Sequence, residues 1–351
     1  MRKNVLAVAI LASCATVAST AMAADLGENT KLGGKAYIDL TNIDYTSDGT
    51  KSAPSGTGAD LKRFYVSIDH KFDDMWSANV TTDVTYDSAV KATQVYIKKA
   101  YVQAKFSDAF ILRAGSADLP WVPFEEDQYG YRWVENIQID HLKFGTSADW
   151  GLHAKGTFGG MVSYAASVVN GNGYKNPSRA KSMDVEGRLS AEPIKGLTVA
   201  VGFYNGKLGK ETETTSALHT AQRVDALIGY VSKTFRLGAS YFDAKNWGQV
   251  LSASTDKADG FSVWGSYNFT DKMSVFTRYD DANPSKTLNP SMKAKYFNVG
   301  LGYAPRKNVD FALVYKEDKV ENGTWGTSNG SIGGESLGKY QEIGIWTQVK
   351  F

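Results

Sequence analysis

Cysteine is all but missing: Cys14 is the only one in 351 residues, so no disulfide can staple the fold and its stability must come from packing and backbone hydrogen bonds. Proline is scarce too, at 8, against 34 glycines and 19 tyrosines, a balance suited to many strands joined by tight turns. The four histidines, His70, His141, His153 and His219, show no metal-ligand spacing, and no cofactor is expected. After residue 23 no run of about 18 apolar residues occurs, so no helix is expected to span a membrane. A membrane barrel stays open, because its strands alternate and keep mean hydropathy low, here -0.31.

The first residues stand apart. Arg2 and Lys3 precede the apolar run VLAVAILA, and Ala21-Met22-Ala23 offers small residues for cleavage, so residues 1–23 read as a secretory signal and 24–351 as the mature chain. The LASC stretch ending at Cys14 is a competing lipoprotein-type site, but only thirteen residues precede that cysteine. Cleavage after Ala23 removes Cys14, Arg2 and Lys3, so that 39 Lys and Arg become 37, against 37 Asp and Glu. A neutral chain lacks the basic face that a nucleic-acid partner requires.

Residues 183–191, MDVEGRLSA, place Met183, Val185, Leu189 and Ala191 on one face of a strand and Asp184, Glu186, Arg188 and Ser190 on the other. Burying the three charges in a dry core would cost several kcal/mol each, roughly, and a wet lumen removes most of that penalty. The division recurs along 197–204, 235–242 and 309–316, with aromatics towards the ends of the apolar faces, as an interfacial girdle requires. Sixteen such segments run from 31–45 to 339–351. Short turns such as 73–74, 107–108, 159–160 and 270–272 alternate with long polar connections at 46–60, 119–144, 170–180, 208–219, 245–258, 282–292 and 320–338. The expected fold is therefore all-β: a transmembrane antiparallel β-barrel of about sixteen strands, with short periplasmic turns and long external loops. A soluble β-sandwich or lectin-like fold also alternates, but leaves the alternation of loop lengths unexplained. The terminal strand EIGIWTQVKF fits closure, since pairing last strand to first leaves no open edge in lipid.

The stretches ILRAGSADLPWVPFEEDQYGYRWVEN (111–136), GTFGGMVSYAASVVNGNGY (156–174) and DVEGRLSAEPI (184–194) resemble the phosphate-selective branch of the Gram-negative outer-membrane porins. That resemblance implies a water-filled channel in the bacterial outer membrane for passive diffusion of small hydrophilic solutes or inorganic anions, and a homotrimer. The C-terminal strand ending in Phe351 is similar to the signature read by the barrel-assembly machinery. The resemblance further implies that 119–144 folds into the lumen as a constriction loop. Its Glu125, Glu126 and Asp127 would then face wall residues whose strand phase points inward: Arg63, Lys71, Lys99, Lys105, Arg113 and Lys155. Opposed charges across a wet gap set up a transverse field, and the basic excess predicts a weak anion preference. The loop at 208–219 departs from the phosphate-selective pattern, since it carries Glu211 and Glu213 where a basic loop is expected. Two other readings compete, a barrel enzyme and a plugged structural anchor. The first draws on Gly326-Thr327-Ser328-Asn329-Gly330, which matches a nucleophile elbow but lies in a Gly/Ser-rich loop without strand-to-helix context. Asp280, Asp281 and Asn283 offer at most a weak divalent-cation site.

Overall fold

Alternation becomes a closed wall. The computed structural model describes residues 27–87 and 89–351; the expected secretory signal lies outside the described residues. The first eight long strands are β1 (Thr30–Ser47), β3 (Gly56–Lys71), β4 (Trp76–Asp87), β5 (Ala92–Ser107), β6 (Phe110–Asp118), β7 (Ala148–Phe158), β8 (Val162–Val169) and β9 (Asp184–Ile194). The second eight are β10 (Leu197–Gly206), β11 (Ala221–Val231), β12 (Phe235–Lys245), β13 (Lys257–Asn268), β14 (Met273–Asn283), β15 (Lys293–Arg306), β16 (Val309–Thr327) and β17 (Gly330–Lys350). A two-residue strand, β2 (Thr50–Lys51), folds back on the end of β1. Each long strand pairs antiparallel with its sequence neighbours, and β1 pairs with β17 from Lys35 opposite Lys350 to Ser47 opposite Gly338. The sixteen-stranded barrel is closed.

Each strand turns alternate residues to opposite solvents. Val201, Phe203, Ile228, Leu237, Leu301, Leu313 and Ile343 are exposed on the outside, while Asp184, Glu186, Arg223, Asp225, Arg278, Asp280 and Lys316 are buried inside. An apolar exterior over a charged interior is the arrangement a bilayer imposes on a barrel.

The connection at 320–338 is not an irregular loop. The β16–β17 ladder continues through it to Thr327 opposite Gly330, with a register shift at Glu321/Gly323. Gly323 and Gly333 there hold φ of 150° and 152°, conformations that suit glycine. A bulge bends its strand, and the tip of this hairpin reaches residues 135–144 of the segment between β6 and β7.

That segment, 119–147, folds into the lumen and packs on one wall. Its helix, Val122–Tyr129, carries Pro123 in its first turn, where a missing N–H needs no partner, and ends on Gly130 at φ 81°. Trp121, Val122, Tyr129, Ile137, Ile139, Leu142 and Phe144 form an apolar cluster with Ala200, Leu227, Phe242, Ala258, Trp264 and Ala282 of the far wall. Burying each large side chain is worth about 1.5–3 kcal/mol. Gly202 makes room for this docking, since a Cβ there would lie 2.4 Å from the Trp121 ring.

Candidate pore site

The wall behind the inward segment has its charges neutralised and used as pins. Arg223 pairs with Asp225 at 2.8 Å and Arg278 with Asp280 at 2.8 Å, each on its own strand two residues along. Arg223 also donates to the Phe144 carbonyl, and Arg278 lies over the Tyr129 ring at 4.8 Å. Lys316 bridges Glu135 of the segment, at 2.9 Å, and Glu342 of β17, at 2.8 Å. These cations hold the segment and leave little charge for a solute.

The opposite wall faces open space. Two cavities follow one another along β1 to β5. The outer one, about 350 Å³, is lined by Lys62, Arg63, Arg132 and Lys175 against Asp60, with the Lys316–Glu135 pair at its edge. The inner one, about 530 Å³, is lined by Lys35, Lys98, Lys99, Arg132 and Lys350 against Asp118, Glu126 and Asp127. Both reach Tyr37 and Arg132, so this pair marks the neck between them. Arg132 is held there by Glu126.

The residues singled out in the sequence fall into three groups. Arg63 and Lys99 line the cavities, paired with Asp83 at 2.9 Å and Asp118 at 2.6 Å. Arg113 lies over the Tyr101 ring at 4.6 Å and donates to Gln103, and Lys155, in register with Ile111 beside it, is exposed. Lys105 and Lys71 sit elsewhere, at the periplasmic rim, in pairs with Asp108 and Asp74.

The acidic triplet divides as a helix must, because successive residues point about 100° apart. Glu125 turns to the far wall, accepting from Ser240 at 2.6 Å and Trp121 at 2.7 Å. Burial pushes its carboxyl up to about 7, so it carries only part of a charge at neutral pH. Glu126 faces Arg132, and Asp127 lines the inner cavity; burial raises both above the ordinary carboxylate range.

Several cavity residues escaped the sequence reading. A register shift at Thr81/Thr82 leaves Lys98 unpaired in a bulge, so Lys98 and Lys99 both point inward. Tyr174 and Lys175 come from the connection 170–180, which folds back over β5: Tyr174 stacks on Tyr96 at 5.9 Å, and Lys175 lies over the Tyr96 ring at 4.3 Å. Lys98 is marked in the sequence only by two adjacent lysines in a strand that otherwise alternates.

Ser328 and His141 do meet, with Asp318. His141 Nε2 lies 2.7 Å from Asp318 and Nδ1 2.5 Å from the Ser328 hydroxyl, which itself donates to Glu135 at 2.8 Å. Burial alone would lower the imidazole's pKa, but Asp318 and Glu135 outweigh it and raise it to about 9. The ring is therefore an imidazolium at neutral pH, donating from both nitrogens. With its folded pKa above the ordinary 6.5, its contribution to stability is complete below about 6.5 and is lost as pH rises through about 9. Lys316, Asn329 and the Tyr296 ring complete its surroundings. Taking the pH from 7 to 10 is expected to increase open-channel current noise as the hairpin tip loosens, and His141→Gln should abolish that rise; noise that ignores pH in both proteins would contradict it.

The weak cation site is not assembled. Asp280 is buried against Arg278, Asp281 accepts from Tyr279, and Asn283 donates to Asp259. No metal-holding cluster of His, Cys, Asp and Glu occurs among the described residues.

A closed barrel, apolar outside and charged within, narrowed by an inward segment, defines an outer-membrane channel. Residues 7–323 match the family model of the Gram-negative porins. The chain belongs to that family: it is a porin of the bacterial outer membrane, passing small hydrophilic solutes by passive diffusion. Solved structures share the fold at low identity. An anion-selective porin from Comamonas acidovorans is 12% identical with a TM-score of 0.65, over 92% of this chain and 99% of that one. The outer-membrane channel DcaP of Acinetobacter baumannii is 12% identical with a TM-score of 0.66, over 92% and 97%. The trimer form of OmpT from Vibrio cholerae is 12% identical with a TM-score of 0.59, over 92% and 99%. No curated protein matches the chain significantly.

Proposed function

We propose that segment 119–147 confines the solute path to the β1–β5 side of the lumen, and that this path favours small anions weakly. The carrying observation is the charge of its two cavities: outside the neck, four cations against one acid once the Lys316–Glu135 pair is set aside, and inside it five against three. The preference is for anions as a class. A phosphate-selective pore, which the sequence motifs resemble, would require a denser basic ladder and a basic loop in place of Glu211 and Glu213. In planar bilayers, discrete conductance steps should appear, and a tenfold KCl gradient should give a reversal potential of the sign set by chloride. A potential of the opposite sign would remove the anion reading.

The Ser328–His141–Asp318 group serves as a latch rather than as a catalytic triad. An imidazolium that already donates from both nitrogens cannot take the serine proton, and burial of Glu135 is outweighed by Lys316 and His141, which hold it well below the ordinary carboxylate range. A folded protein that hydrolyses esters and loses the activity with Ser328→Ala would reverse this conclusion. Assembly as a homotrimer is supported by the trimer form of the Vibrio cholerae relative and by the family; cross-linking in mild detergent that captures only monomer would remove it.

A further inference from the structure

Lys98 is a buried cation without an anion. Its residue is buried, at 7% exposed, yet no carboxylate lies within salt-bridge reach among the described residues. Arg223, Arg278 and Lys316 all have one. The Lys98 ammonium is 4.8 Å from the Tyr65 ring centroid and 5.6 Å from that of Tyr174. Its hydrogen bond to the Tyr65 hydroxyl is long, at 3.4 Å. Ring faces return only part of what removing an ammonium from water costs. The bulge is fixed from behind as well, where the Ser116 hydroxyl donates to the Lys98 carbonyl at 2.8 Å.

The side chain opens on the inner cavity of about 530 Å³. Tyr37 and Tyr65 stand there edge to face at 5.7 Å, and the Ser67 and Thr81 hydroxyls meet at 2.9 Å. A bare halide would use the ammonium and leave the rings without a role. A carboxylate attached to an apolar skeleton uses both, because its charge completes the ammonium while its carbon frame covers tyrosine faces.

We propose that Lys98 is the charge-binding group of a saturable site for small organic carboxylates, with Tyr37 and Tyr65 receiving the carbon skeleton. The site rests on the reading of the two cavities as the solute path, and adds to it a preference for one chemical class over simple salt anions. Lys98 would touch the solute directly.

Benzoate and acetate, each titrated against KCl current through single channels of the full barrel, make the test. Benzoate is expected to reduce the current with a saturating dependence on concentration, and acetate to do so at least tenfold less tightly. Lys98→Gln should weaken the benzoate effect at least tenfold, Lys98→Arg should keep it within about threefold, and Lys105→Gln at the rim should leave it unchanged. Folding of each variant is read from heat-modifiable migration, and Lys98→Arg keeps the charge if Lys98→Gln fails to fold. Equal effects of benzoate and acetate, or benzoate block that persists in folded Lys98→Gln, would overturn the site. Absence of KCl conductance steps in the unmodified protein would instead remove the solute path, so the two failures are distinct.

Discussion

Replacing Lys35 and Lys175 together with glutamate is expected to abolish the anion preference of the pore. Both lysines line the path, one on each side of the Tyr37–Arg132 neck, and neither has a carboxylate within salt-bridge reach among the described residues. Reversal therefore changes the field without breaking an ion pair. The outer cavity falls from a net three positive charges to one, and the inner from two to none. A unit charge about 8 Å from an ion contributes roughly 0.5 kcal/mol in a water-like dielectric. Each reversal counts twice, so the change is about 1 kcal/mol at each cavity, roughly fivefold in favour of cations and against anions. The reversal potential in a KCl gradient should move to zero or beyond, and the shift should shrink as salt rises from 0.1 M to 1 M and the Debye length falls from about 10 Å to 3 Å. An unmoved potential at low salt in a folded double variant would show that the path runs elsewhere.

Lys316→Met is expected to be the most destabilising single substitution in the lumen. It leaves Glu342, 1% exposed, with no cation in salt-bridge reach among the described residues, and Glu135, 4% exposed, with His141 alone. Removing one partner of such a buried group costs about 3–5 kcal/mol. Adding Glu135→Gln and Glu342→Gln should recover most of the loss, because a neutral amide at 342 can accept through its oxygen from one of the Thr41 and Tyr340 hydroxyls, which now bond separate oxygens of Glu342, and donate through its NH2 to the other. The readout is the temperature at which the folded, fast-migrating form disappears in detergent. Equal midpoints for the single variant and the unmodified protein would refute the assignment.

The barrel was legible because lipid and water enforce a period of two on every strand, and because turn and loop lengths differ between the rims. Hairpin extension beyond residue 320 was not, since a ladder that leaves the membrane no longer needs an apolar face. ENGTWGTSNGSIGG looks like a loop for that reason, although it pairs through Thr327 and Gly330. The inward residues were read by counting twos from each strand. That count places Arg63 and Lys99 inward, where they line the cavities, and it fails at Lys98, where one extra residue shifts the phase. In sequence the acidic triplet forms one patch; the helix scatters it and turns Glu125 to the far wall. Tyr174 and Lys175 carry no local mark, because their place depends on a distant partner, Tyr96.

The one-sided packing of the lumen also divides how this protein can change over evolutionary time. On β11, β14 and β16 an inward substitution disturbs a pin such as Arg223, Arg278 or Lys316 and is met by loss of the fold. On β1, by contrast, Lys35 faces the inner cavity and enters no ion pair among the described residues, so it can be exchanged with little penalty. A lineage that meets a new nutrient or a new toxic solute can thus retune what enters through one side of the wall while the other side is kept constant.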